Sequence, residues 1–244
     1  MNQKNIEDIY PLSPMQQGML FHSLYAPTSG MYVEQLSLEL HGNLDVAAFK
    51  KAWQEVLNRH SVLRTAFVWE NLEKPLQVVG RQVSLPWQQL DWREIPTNEQ
   101  QQQLEALLES EQKRGFELSK APLMNLILIQ LGEKSYQFIW NHHHLLLDGW
   151  SLPLIFKEVI TFYSSFFQGK DLYLEKPRPY RDYIAWLQQQ NVIEAEAFWR
   201  ETLKGFTAPT AIFSQSPIAN KQSLIPSYDE QQLKLSTEAT AALQ

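Results

Sequence analysis

Hydrophobic residues alternate with polar residues in several segments of this chain, and this alternation predicts β-strands. Residues 36–40 have leucine at every second position, and residues 63–69 show a similar period. Residues 123–130 and 136–144 predict a hairpin, because a short segment containing Gly132 separates them. A two-residue period sends alternate side chains to opposite faces of a sheet. These segments are therefore predicted to be half-buried strands.

Helices are predicted where apolar residues recur every three or four positions behind a residue that can cap the first turn. The expected caps are Ser13, Asp45, Thr97 with Gln100 as its capping-box partner, and Ser151. Gly115 and Gly169 are expected to end the third and fourth of these helices. The chain therefore combines helices and strands.

The C-terminal quarter has a weaker pattern. Pro177 and Pro179 indicate a linker, and residues 180–204 predict one or two helices. Residues 207–226 are rich in Pro, Ser, Ala and Gln without a period, so we expect a loop there. Residues 231–235 predict a strand, and Ser236 is expected to cap a final helix.

Composition narrows the possible functions. The 244 residues are 44% hydrophobic, which is enough for a substantial core, and the formal net charge of −6 argues against nucleic acid as a partner. The absence of cysteine excludes disulfides, zinc–thiolate sites and a thiol nucleophile. No segment has the pattern of a signal peptide or a membrane span. We expect a cytoplasmic protein that does not bind membranes.

Residues 142–151 contain three of the six histidines and the pair Asp148-Gly149. One interpretation is purely structural, with the three rings satisfied by hydrogen bonds. A second is a metal site built from His142, His144 and Asp148, because imidazole and carboxylate suit zinc or iron. A third is acid–base chemistry, because a neutral imidazole accepts a proton near neutral pH. The strand period places His142 and His144 on one face and His143 on the other.

Four segments resemble motifs of one enzyme family, in the family's order. The segment His143–Gly149 resembles the HHxxxDG signature of condensation domains of nonribosomal peptide synthetases. Ser13–Phe21, Arg59–Phe67 and Tyr180–Trp186 resemble the first, second and fourth motifs of that family. The resemblance implies an α+β fold of the chloramphenicol acetyltransferase type. In that fold a mixed β-sheet is flanked by helices as a two-layer α/β sandwich.

The resemblance also implies a reaction and its participants. An upstream aminoacyl or peptidyl thioester is attacked by the amine of a downstream aminoacyl thioester, which forms a peptide bond. Both substrates are held on the 4'-phosphopantetheine arms of carrier proteins, so no cofactor is expected to bind the chain directly, and no metal is expected. Peptidyl carrier domains on both sides and an adjacent adenylation domain are the implied partners.

Site residues follow from the same resemblance. His144 is implied to be the catalytic residue, acting as a general base or by positioning the amine. Gly149 is implied to leave room for substrate and to offer its N–H to the oxyanion. His143 is expected to be a packing residue. Asp148 is expected to pair with an arginine of the second motif, with Arg59 preferred to Arg64, and a buried pair of this kind is costly to break.

Domain boundaries are also implied. Residues 1–175 are expected to form the N-terminal lobe of a condensation domain, residues 176–226 a linker with helices, and residues 227–244 the start of a C-terminal lobe. A fragment without the second lobe is expected to be inactive, and its exposed apolar face is expected to promote self-association.

Several related functions remain open at this stage. One is a coenzyme A-dependent acyltransferase, and another is an epimerization domain with the same motif. A third is a docking module that has the fold without turnover.

Overall fold

A computed structural model describes residues 3–27, 29–170, 172–208 and 233–243. The chain divides into two compact units, Met1–Asn191 and Val192–Gln244. Among the described residues the strands all lie in the first unit and are β1 (Ile6–Pro11), β2 (Val33–His41), β3 (Thr65–Val68), β4 (Leu76–Gly80), β5 (Trp87–Asp91), β6 (Met124–Gly132) and β7 (Ser135–His143). Its helices are α1 (Pro14–Tyr25), α2 (Val46–Arg59), α3 (Thr97–Arg114), α4 (Leu152–Phe167) and α5 (Tyr180–Gln188).

The predicted caps of the first two helices are confirmed. Before α1, the Ser13 hydroxyl accepts the amide N–H of Gln16, while the Gln16 side chain accepts the amide N–H of Ser13. Before α2, the Asp45 carboxylate accepts the Ala48 N–H at 2.9 Å. Both contacts satisfy amide groups that have no partner within the helix.

The capping box predicted at Thr97 and Gln100 is wrong. No side chain caps α3, and the Gln100 amide instead donates to the carbonyls of Trp92 and Leu131, which ties the first turn of the helix to the neighbouring sheet. The end of the helix is confirmed, because Gly115 follows it with a φ of 57°.

The strands form two sheets. The smaller is antiparallel, in the order β1-β4-β3. The larger has the order β2-β7-β6-β5 and is mixed, because β5 runs parallel to β6 while the other pairs are antiparallel. The predicted β6–β7 hairpin is confirmed. β7 lies between β2 and β6, so the end of β7 is paired with a strand on each side.

The core lies against both faces of the larger sheet. Phe138 and Trp140 face α2 and α4, where the Trp53 ring centroid is 4.9 Å and the Phe156 centroid 5.6 Å from that of Trp140. Ile139 faces the opposite way and packs with leucines of α3. The α+β class and the mixed sheet flanked by helices are confirmed. The larger sheet is covered by helices on both faces, so three layers replace the expected two.

Other differences concern strand boundaries. The strand predicted for residues 63–69 begins only at Thr65, because Ser61–Arg64 form a 3-10 turn. The sequence pattern does not predict β1, β4 or β5. Leu233–Leu235 are not in a strand, and the rest of the predicted segment 231–235 lies outside the described residues.

The second unit is described in two stretches. It contains α6 (Val192–Thr202), which with α5 accounts for the helices predicted between residues 180 and 204. It also contains α7 (Thr237–Leu243), whose predicted cap is confirmed because the Ser236 hydroxyl accepts the Ala239 N–H at 3.2 Å. The loop predicted for residues 207–226 lies outside the described residues except at 207 and 208, which have no regular structure. No helix in the described ranges is long and apolar enough to cross a lipid bilayer.

Candidate active site

The three histidines lie at the end of β7. His143 is the last residue of the strand and pairs with Val33 of β2, while His142 pairs with Met124 of β6. His144 begins the turn that follows. His142 and His143 are buried, and His144 is only partly buried. Of the three histidines, only His144 is therefore partly accessible to solvent.

His142 belongs to the core. Its ring centroid is 4.7 Å from that of Trp140, and its Nδ1 atom has no hydrogen-bond partner among the described residues. Burial, together with the neighbouring His144 and His143, lowers the pKa of His142 to about 4. The ring is therefore neutral at neutral pH.

His143 points away from that side and is held by two hydrogen bonds. Its Nδ1 atom accepts the Leu145 N–H at 3.1 Å, and its Nε2 atom lies 3.3 Å from the hydroxyl of Ser23 on α1. The Ser23 hydroxyl donates to the Met19 carbonyl, so its oxygen is free to accept an Nε2–H. These contacts select the neutral tautomer protonated on Nε2. Burial and the neighbouring His144 lower the pKa of His143 to about 4.

His144 is fixed through its backbone, while its ring keeps free hydrogen-bonding capacity. The His144 N–H donates to the carbonyl of Tyr32 at 2.8 Å. Its Nδ1 atom is buried and has no hydrogen-bond partner in the part of the chain that the structure describes. His144 is the least buried of the three histidines, and a neutral imidazole has the chemistry needed to accept a proton or to hold an amine.

Helix α1 also holds the loop after His144. The Gln16 side-chain amide donates to the Leu145 carbonyl at 3.0 Å and exchanges hydrogen bonds with Gln77. Gln16 and Gln77 are both buried. Gln16 therefore has two roles, of which the first is to complete the capping box of α1. The second, which supports the histidine loop, is a contact over 129 positions that no local pattern indicates.

The predicted pairing of Asp148 with Arg59 or Arg64 is wrong. The exposed Asp148 carboxylate accepts the backbone N–H of Ser151 at 3.0 Å and its hydroxyl at 2.7 Å. Asp148 thus closes the turn that leads into α4. The Ser151 hydroxyl is used in that turn and makes no cap hydrogen bond to the helix.

Both arginines have other acidic partners. The Arg59 Nε atom lies 3.0 Å from the Glu158 carboxylate, and the remaining guanidinium nitrogens donate to carbonyls of residues 174 and 175. Arg64 pairs with Glu7 at 2.6 Å and donates to the Gly80 carbonyl. Glu158 lies six residues beyond the start of α4, about 9 Å along its axis at 1.5 Å per residue, whereas Asp148 precedes that start. Glu158 therefore meets the end of α2 where Asp148 does not.

Conversion of Asp148 to asparagine is expected to change the free energy of unfolding of the chain by less than about 0.5 kcal/mol, the usual range for an exposed position. The asparagine oxygen still accepts the Ser151 N–H. Asp148→Ala removes that acceptor and is expected to cost about 1 kcal/mol, as for a lost cap. Urea unfolding of both variants measures the difference. A loss of several kcal/mol in Asp148→Asn would contradict this assignment and point to a buried ion pair.

Gly149 and Trp150 are exposed at the end of the motif. A Cβ atom at Gly149 would have no other atom within 4 Å, so crowding within the described residues does not explain the glycine. Trp150 is 88% exposed and does not anchor α4 to the core.

The structure does not bring His142, His144 and Asp148 together as a set of metal ligands. The described residues contain no group of three or more His, Cys, Asp or Glu side chains arranged to hold an ion. Asp148 is occupied by Ser151, and His142 packs against Trp140.

Comparison with known proteins decides the family. The family model for the condensation domain matches residues 6–244. The chain belongs to the condensation domain family. A linear gramicidin synthase of Brevibacillus parabrevis is 44% identical over 241 residues, covering 99% of this chain and 3% of that protein. Bacitracin synthase 1 of Bacillus licheniformis is 35% identical over 240 residues, covering 98% of this chain and 4% of that protein.

Solved structures agree on the fold. The starter condensation domain of rhizomide synthetase RzmA superimposes with a TM-score of 0.73 at 20% identity. The match covers 83% of this chain and 50% of that one. This chain thus spans about half the length of that structure and a small fraction of the large synthases that it resembles. The expected chloramphenicol acetyltransferase-like fold of condensation domains is confirmed.

Proposed function

We propose that this condensation-domain chain takes part in peptide-bond formation between carrier-bound thioesters in nonribosomal peptide synthesis. Membership of the family and similarity to gramicidin and bacitracin synthases support the proposal. The observation that carries it is the placement of His144. His144 directly follows the last residue of β7. It is partly buried, whereas His142 and His143 are buried.

In the proposed step, the amine nitrogen of the downstream aminoacyl group attacks the carbonyl carbon of the upstream thioester. A C–N bond forms, the C–S bond breaks, and the amine proton is transferred while the upstream carrier is released as its thiol. His144 takes that proton as a general base or holds the amine for attack. The Gly149 N–H is proposed to face the developing oxyanion, since the residue is exposed beside the motif.

The substrates are proposed to arrive on 4'-phosphopantetheine arms of peptidyl carrier domains upstream and downstream, in the cytoplasm, next to an adenylation domain. The chain itself then needs no bound cofactor, because the arms carry the reactive thioesters. Binding two tethered reactants raises their effective concentration, so proximity supplies part of the rate together with His144.

The chain is proposed to be the N-terminal half of the catalytic unit. Residues 1–175 form the N-terminal lobe, residues 176–226 lead out of it, and residues 227–244 begin a C-terminal lobe. The coverage of 50% of the rhizomide synthetase domain supports the proposal that the chain is about half of such a unit, while the lobe bounds rest on the resemblance alone. On this view the isolated chain has half of a substrate channel and little activity.

Self-association of the isolated chain is proposed on the basis of its exposed apolar side chains. Met15, Phe21 and Tyr25 on α1 are 71%, 63% and 83% exposed. In the same unit, Trp150 and Leu154 are also exposed. Apolar surface of this kind favours contacts with another protein surface over contact with water.

The proposed function is tested in the intact synthetase module that contains this chain. Both carrier domains are loaded by their own adenylation domains from amino acids and ATP, and the downstream carrier is analysed by mass spectrometry. We expect its mass to increase by the upstream acyl residue, as a dipeptidyl thioester. A downstream carrier with an empty phosphopantetheine arm is the control. Loaded carriers that never yield this product would contradict the proposal.

A further inference from the structure

Tyr32 has an unusual backbone conformation next to the histidine motif. Its φ is 67°, in the left-handed region that bulky residues rarely adopt. Tyr32 directly precedes β2, whose first residue Val33 pairs with His143. The Tyr32 carbonyl accepts the His144 N–H at 2.8 Å. The contact between the two strands thus continues one residue beyond their regular pairing, and it ends at His144.

The Tyr32 side chain connects the same point to α1. Its ring centroid lies 6.2 Å from that of His143 and 6.2 Å from that of His22, and the His22 ring is nearly parallel to it at 14°. Its hydroxyl lies 3.0 Å from the Nδ1 atom of His22. Tyr32 therefore touches a helix through its side chain and the candidate catalytic residue through its backbone.

A tyrosine is a costly choice for this backbone position. Gly30, two residues earlier, has a similar φ of 66° without strain. The other non-glycine residue with positive φ in the described ranges is Asn71, a residue type that tolerates this region. Strained backbone persists where surrounding contacts fix it, and it concentrates at functional sites. The Val33 N–H donates to the Gly30 carbonyl at 3.1 Å and closes the turn that contains Tyr32, and the ring adds its contacts with His22 and His143.

We propose that Tyr32 is a positioning residue for His144. Its ring, packed between His22 and His143, holds the left-handed backbone so that the Tyr32 carbonyl binds the His144 N–H. This bond sets the direction in which the imidazole of His144 leaves the strand end. The kinetic part of the proposal rests on the proposed function, while the structural part does not.

The test compares three variants in the intact synthetase module. Tyr32→Phe keeps the ring and loses only the hydroxyl contact with His22. Tyr32→Ala loses the ring and has no preference of its own for left-handed backbone, so it removes what the ring contributes. Tyr173→Ala is the matched control, because Tyr173 is 89% exposed. Circular dichroism verifies that each variant is folded.

Two measurements are made on each variant. The first is hydrogen–deuterium exchange at the His144 amide, resolved by overlapping peptides and mass spectrometry, which reports the Tyr32–His144 hydrogen bond directly. We expect exchange about tenfold faster in Tyr32→Ala, because local opening becomes easier without the ring contacts. The second is the condensation rate, for which we expect kcat to fall about tenfold with KM nearly unchanged, because misplacement of a catalytic group lowers kcat. Tyr32→Phe and Tyr173→Ala are expected to resemble the unaltered protein in both.

The outcomes separate the two proposals. Unchanged exchange at the His144 amide in Tyr32→Ala would overturn the role of the ring. Faster exchange with an unaltered kcat would show that the bond exists without serving the reaction, which also overturns the positioning role. Absence of dipeptidyl product from the unaltered module would contradict the proposed function instead, and the exchange measurement would still decide whether the ring holds His144.

Discussion

Replacement of His144 by alanine is expected to lower the rate of peptide-bond formation at least about tenfold in a complete domain. A positioned general base contributes ~10²–10⁴-fold, and effective concentration of the tethered reactants supplies part of the rate without it. The structure gives a reason to place the effect at this histidine. The rings of His142 and His143 are buried and neutral, and His143 uses both ring nitrogens in contacts within the lobe.

The control for His144→Ala is His41→Ala. His41 lies on β2 opposite Ser135, at the far end of the β2–β7 pair from His143, and its side chain is 69% exposed beside Glu39. Its removal is expected to leave the condensation rate unaltered. Both rates are measured from single-turnover formation of the dipeptidyl thioester. An unchanged rate in His144→Ala would refute the role assigned to this residue.

His144→Gln refines the same experiment. Glutamine keeps hydrogen-bonding groups near the imidazole position but does not accept a proton at neutral pH. A rate close to that of the unaltered protein would favour positioning of the amine, whereas a loss equal to that of His144→Ala would favour proton transfer. A pH–rate profile of the unaltered protein then reports whether an ionisation of the enzyme controls the step.

Local sequence signals predicted those parts of the fold that depend on neighbouring residues. The period of two found β2, β6 and β7, because each contributes alternate side chains to a core on at least one face. Ser13 and Asp45 revealed helix starts, because the cap contact spans only three residues. β5 was missed, since its polar central residues Gln88 and Gln89 are exposed and interrupt the apolar period.

Long-range contacts decided the parts that sequence could not predict. Gln100 fits a capping box by spacing, but the sheet offers it carbonyls at Trp92 and Leu131. Arg59 meets Glu158 across 99 positions, and no local pattern ranks that carboxylate above Asp148. The partner of His60 is equally distant in sequence. His60 lies 2.8 Å from Glu158, although nothing near His60 indicates an acidic neighbour.

The candidate site also has one part that local sequence predicts and one part that depends on long-range contacts. The motif from His143 to Gly149 marked the strand end from sequence alone, because its residues are contiguous. The support for that strand end comes from α1 and from Tyr32, and these contacts exist only after the chain has folded. The left-handed backbone of Tyr32 has no signature in the sequence, since tyrosine is an unusual residue for it. Its contact with His144 spans more than a hundred positions and therefore lies beyond any local pattern.

Lowering the pH from 8 to 5 is expected to reduce the free energy of unfolding by about 2 kcal/mol for each of His142 and His143. Burial lowers the pKa of both rings to about 4 in the folded chain, with a further contribution from the neighbouring histidines. The reference is a histidine pKa of about 6.5 in the unfolded chain. Each ring is at most 3% exposed, so solvent screening is small.

The direction of this pH effect follows from the numbers of protons that the folded and unfolded chains bind. Between pH 6.5 and 4 the unfolded chain holds more protons on these rings than the folded chain does, so added protons favour unfolding. The stability contributed by the neutral rings is complete above pH 6.5 and is lost as the pH falls towards 4. Below that pH the loss levels off at about 3 kcal/mol for each histidine, the product of the pKa difference and 1.36 kcal/mol per unit.

His142→Leu isolates this contribution from that of the carboxylates, which also titrate in acid. Leucine has a similar volume, lacks a titratable group and removes the unpartnered Nδ1 atom beside Trp140. Urea unfolding at pH 8 and pH 5 is expected to show a pH dependence about 2 kcal/mol smaller than in the unaltered chain. His41→Ala, at an exposed histidine, is expected to keep the full dependence. Equal pH dependence in His142→Leu and the unaltered chain would contradict the lowered pKa of His142.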